Sequence, residues 1–93
     1  MKNSKLILFS LASDLNRITN SIQRGSYATA DRFSQEASQW LKQLSKTKQK
    51  PYVRQILNNL ENDLLKANNS LLKAEESLMY STLLQNYAMS LEV

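Results

Sequence analysis

Ninety-three residues, 42% of them hydrophobic, at a net charge of +4, are too apolar for a disordered segment and too few for more than one domain, residues 1–93. The chain has no Cys, which excludes a disulfide framework and a thiolate metal site, and no His, the side chain that most often serves as acid, base or metal ligand. One Gly and one Pro supply too few turns for a sheet protein, so the composition predicts an all-α chain and turns the functional reading away from enzymes.

The first predicted helix starts at Asn3 or Ser4, either of which can cap it, and ends at Arg24. Its apolar seam is Leu8, Leu11, Leu15, Ile18 and Ile22, widened at the start by Leu6, Ile7 and Phe9. Lys2 and Lys5 ahead of residues 6–12 resemble a very short export signal. The seam runs on well past any cleavage point, however, so the segment reads as a structural helix of a cytoplasmic protein. No stretch approaches the length of a membrane span.

Gly25 stands where a left-handed residue ends a helix, and the second helix follows at once, capped by Ser26 or Thr29 with Asp31 in its first turn. Its predicted seam is Ala30, Phe33, Ala37, Trp40 and Leu44, which makes Trp40 a core residue. The connection is so short that the first two helices must form an antiparallel hairpin. The Trp-x-Gly turn of small secreted hairpin effectors is absent, because Gln23 and Arg24 precede Gly25.

Residues 45–50 form the one convincing loop, and Pro51 suits the first position of the helix after it. From there a heptad runs unbroken through Val53, Leu57, Leu60, Leu64, Ala67, Leu71, Ala74 and Leu78. A helix break usually resets the phase of such a stripe, and no Gly or Pro interrupts this one. The predicted architecture is therefore an antiparallel helical hairpin packed on one long C-terminal helix. The alternative is a four-helix up-down bundle with a break near Asn69, where Asn69 or Ser70 would cap a fourth helix.

A helix of some forty residues spans about 60 Å, far more than one hairpin covers. Self-association, most simply as a homodimer, or docking to a helical protein partner is the expected use of the surplus. The residues expected at that interface are Leu65, Leu72 and Met79, which repeat every seven residues off the main seam, together with Leu83, Leu84, Tyr87 and Leu91. This predicts a non-enzymatic protein–protein interaction, adaptor or regulatory module.

Charge supplies the second functional reading. Residues 1–54 carry ten Lys and Arg against three acids, +7, and residues 55–93 carry two against five, −3. Lys42, Lys46, Lys48, Lys50 and Arg54 form the densest basic cluster, with Trp40 and Tyr52 at its flanks. Lys42 and Lys46 suit the end of a helix, where positive charge is favoured. Lys50 and Arg54 stand at the start of the next, where free N–H groups and cations together suit a phosphate. Nucleic-acid contact through these five is thus the alternative function. The acids do not gather into an oxygen-ligand site, and a single Gly cannot build a phosphate-cradling loop. No cofactor and no small-molecule substrate is expected.

Overall fold

The computed structural model describes residues 4–91. Four α-helices make up the fold and no strand occurs among the described residues. They are α1 (Ser4–Gln23), α2 (Tyr27–Leu44), α3 (Pro51–Asn59) and α4 (Leu71–Ser90), and α3 continues as a π-helical turn, Leu60–Leu64. The helices run alternately up and down in a bundle of 37 × 22 × 21 Å. Asn3, the other capping candidate for α1, lies outside the described residues.

α1 is the central element, lying close against both α2 and α4. It buries Ile7, Leu8, Leu11, Leu15, Ile18 and Ile22 on one wide stripe, as the spacing predicts. It ends in a Schellman turn. The Ser26 N–H donates to the Ser21 carbonyl (2.8 Å), the Gly25 N–H donates to Ile22 (3.0 Å), and Gly25 takes φ +76°. A side chain at Gly25 would strain that turn, which folds α2 back onto α1.

α2 buries Ala30, Ser34, Ala37, Leu41 and Leu44. Its inward stripe is therefore rotated from the predicted one, and Phe33 and Trp40 lie at its edge, half-buried. The reason for Trp40 is polar: its indole N–H donates to Asp14 Oδ2 at 3.0 Å, which holds the ring at the α1–α2 boundary. Pro51 begins α3 as expected. Val53, Leu57, Leu60 and Leu64 close the core from that side.

The long C-terminal helix is not formed; the bundle with a break near Asn69 is. The Leu65 N–H reaches back to the Leu60 carbonyl (3.0 Å), the wider hydrogen bond of a π-turn, and the helix stops there. Ser70 caps α4, accepting from the Lys73 N–H at 3.2 Å. Contacts with α2 fix residues 65–70 in place. Asn69 Nδ2 donates to Asp31 Oδ1 (2.8 Å) and to the Tyr27 carbonyl (3.3 Å). Lys73 Nζ donates to Ser34 Oγ (3.3 Å) and to the Ala67 carbonyl (3.1 Å). Apart from the Ala67 carbonyl, the partners in these bonds lie 38 or more residues away in sequence, and a local periodicity carries no trace of them.

The heptad accordingly describes the core only as far as Leu64. Ala67, Leu71 and Leu78 are exposed, and of its last four positions Ala74 alone is buried. The inward face of α4 is instead Ala74, Ser77, Ser81, Leu84, Tyr87 and Ala88. Its small residues let α4 approach α1 so closely that side chains bond across the gap to backbone. Thr19 Oγ1 donates to the Ala74 carbonyl and Ser81 Oγ to the Ala12 carbonyl, both at 2.8 Å.

Candidate functional site

Because α4 spends small residues on the core, most of its large ones face outward. Leu71, Leu72 and Met89 are 71%, 64% and 63% exposed, and Leu78, Met79 and Leu83 are exposed as well. At about 100° per residue, Leu71, Leu78 and Met89 share one line along the helix, and Leu72, Met79 and Leu83 a second line about 100° further round. Exposed Glu75, Thr82 and Asn86 run between the two lines. Two apolar lines flanking a polar strip on one helix expose more apolar surface than scattered single residues do.

Beside the second line, between α3 and α4, lies a largely apolar groove of about 350 Å³. Tyr52 and Ile56 form its α3 wall, and Leu83, Asn86 and Ser90 its α4 wall. Tyr87 closes the end, its ring edge-on to Tyr52 at 6.0 Å and its hydroxyl donating to Gln49 Oε1 at 3.2 Å.

Of the interface residues expected from sequence, Leu72, Met79 and Leu83 lie on this outer face. Leu84 does not: it is fully buried, so it packs the core and is unavailable to a partner. Tyr87 is also buried apart from its place at the groove, and Leu65 and Leu91 are half-buried beyond the two ends of α4. Leu71, Leu78 and Met89, which the sequence reading leaves out of the expected interface, lie on the same outer face. The first two had been absorbed into the heptad. The signal that would have freed them is the small-residue series Ala74, Ser77, Ser81 and Ala88, spaced as a helix face is spaced.

The basic cluster gathers at one end of the bundle, around residues 45–50. Lys42, Lys46, Lys48 and Lys50 are exposed, while Arg54 is half-buried and its guanidinium donates to the Thr47 carbonyl, tying the loop to α3. Glu61 of the π-turn shares a small cleft with Ser45 and Arg54 on the flank of this end. At the opposite end, beside α4, Asp63 and Glu76 line a second cleft together with Asn59 and Tyr80.

Two buried ionisable groups lie away from these surfaces. Asp14 is only 1% exposed; burial, and then the negative charge of Glu36, push its carboxyl up from 3.8 to about 6 against the bonds from Trp40 and Arg17. Lys73 is buried at the start of α4, where loss of solvent lowers its pKa and Asp31 partly opposes the shift. Each is built into a helix–helix contact, and neither opens onto the outer face of α4. Among the described residues no three acids gather as a metal site, and no helix is long and apolar enough to cross a membrane. Comparison with protein-family models, with curated proteins and with solved structures finds no match.

Proposed function

We propose that this chain is a non-enzymatic helical interaction module, of adaptor or regulatory kind, that acts in the cytoplasm and self-associates through the outer face of α4. The observation that carries the reading is the inversion of α4, with small residues inside and Leu71, Leu72, Leu78, Met79, Leu83 and Met89 outside. Burying an exposed leucine is favourable by roughly 1.5–3 kcal/mol, so a helix that leaves six large apolar side chains in water gains by meeting a second apolar surface. The lack of His supports a role outside catalysis.

The test is the molar mass in solution by light scattering, at low and high salt. A dimer that persists at high salt, and that Leu72→Glu with Met79→Glu converts to a folded monomer, is the expected result. A monomer at all concentrations, or a dimer indifferent to that pair, removes the reading. Both positions are exposed, so circular dichroism should show the helices intact. Leu84→Glu is unsuitable for this purpose, since it would place a charge in the core.

A second reading, nucleic-acid contact through Lys42, Lys46, Lys48 and Lys50, is supported by the exposure of these four lysines around one loop. It predicts binding that falls steeply with salt and is lost in Lys48→Glu with Lys50→Glu. Binding unaffected by that pair would end it.

A further inference from the structure

Building on the reading of the outer face of α4 as a docking surface, we propose that its occupant is α4 of a second copy, running antiparallel, with the Leu72 side chain of each copy seated in the α3–α4 groove of the other. Three independent features of the molecule lead there.

The first is the order of residues along the face. A two-fold axis perpendicular to α4, near the level of residues 80 and 81, sets Leu71 level with Met89, Met79 level with Leu83, and Glu75 level with Asn86. Apolar residues then meet apolar ones, and the single carboxylate in the middle of the face meets an amide able to donate to it. A parallel pair would stack Glu75 on Glu75, two like charges on a surface losing its water. Antiparallel helices also oppose their dipoles favourably.

The second is the groove. The same axis brings Leu72 level with Ser90, on the side of the helix where Leu83, Asn86 and Ser90 face Tyr52 and Ile56 across the groove. A highly exposed leucine and a largely apolar space of about 350 Å³ are thereby brought together twice, once on each side of the axis. One molecule carries both the knob and the hole, as a closed two-fold interface requires.

The third is charge. α4 descends from the end that carries Asp63 and Glu76 to the end that carries Lys48 and Lys50. Reversal of the second copy therefore sets the exposed lysines at the basic end of one beside the acidic cleft of the other. Such a polar rim around an apolar centre favours correct orientation over raw affinity.

The chain has no cysteine, so introduced pairs report geometry without background. Glu75 lies about 8 Å along the helix from the proposed axis, so two copies of it stand about 16 Å apart in the antiparallel pair, while Glu75 and Asn86 of opposite copies stand level, within disulfide range. The experiment oxidises Glu75→Cys, Asn86→Cys and the double variant at the concentration where light scattering shows a dimer. Both positions are exposed, so the fold is retained. Covalent dimer from the double variant, with neither single variant crosslinking, is the expected outcome. Crosslinking of Glu75→Cys alone means a parallel pair, and a dimer that crosslinks in no variant means another face or register. Either result overturns this geometry while leaving the docking surface intact. A monomer by light scattering overturns both.

Discussion

α1 and α4 are each 20 residues long and lie side by side, yet they solve opposite problems. α1 turns its large residues inward, and Leu8, Leu11, Leu15 and Ile18 are fully buried. α4 turns mostly small ones inward and, Leu84 apart, leaves its leucines and methionines in water. The contrast shows that one helix supplies the volume of the core while the other supplies closeness. A helix packed through Ala and Ser can lie near enough to its neighbour for Thr19 and Ser81 to reach backbone carbonyls across the gap. Apolar residues on such a helix are free for use outside the fold.

The sharpest way to break this comparison is to cut leucines from the two faces of α4. Leu84→Ala should cost about 2–5 kcal/mol in denaturant unfolding, as buried leucines do, while Leu71→Ala under monomeric conditions should cost less than about 0.5 kcal/mol. Equal losses would mean that the outer face is part of the core.

Asp14 tests the polar exception within the α1 stripe. Its folded pKa, about 6, lies above the ordinary 3.8, so the folded protein binds the proton more tightly than the unfolded chain. The charged form is the penalised one. The contribution of this group to stability is therefore greatest below pH 3.8 and is lost as pH rises through 6, a change on the order of 2–3 kcal/mol. Asp14→Asn keeps an acceptor for Trp40 and should flatten that part of the pH–stability curve. A variant with the slope of the parent between pH 4 and 7 would mean that Asp14 is ordinarily solvated.

The closeness of α1 and α4 is open to the opposite test. Ser81→Leu adds volume where none is available and removes the bond to the Ala12 carbonyl, so a loss of about 1–3 kcal/mol is expected from thermal or urea unfolding. Ser77→Ala should move the other way. The Ser77 hydroxyl is buried without a hydrogen-bond partner, and removing it should raise stability by about 1 kcal/mol. A loss at Ser77 would show that its hydroxyl has a partner after all.

The parts of this architecture legible in the sequence are those set by nearby residues. Gly25 and Pro51 stand where their backbones are needed, and the α1 seam follows from its own spacing. The break at residues 65–70 was not legible as the preferred outcome, because Asp31, Ser34 and the Tyr27 carbonyl hold it from the other side of the bundle. The heptad misassigned Leu71 and Leu78 for a related reason. It counts hydrophobic residues and assumes that the largest go inside, whereas a close-packed helix pair selects for small ones. Beyond Leu78 the seam lapses and apolar residues spread around the helix, so spacing alone does not separate the buried Leu84 from the exposed Leu83 and Met89.

α3 meets the rest of the bundle through its side chains Val53, Leu57, Leu60 and Leu64, while α1 lies close against both α2 and α4. In time rather than in space, this ranks the helices. Amide protons of α1 should exchange only with global unfolding, and those of the nine-residue α3 and its π-turn should exchange first, through a local opening that leaves the other three helices assembled. That opening would also dismantle the α3 wall of the groove, so anything seated there would slow exchange in α3 more than anywhere else in the chain.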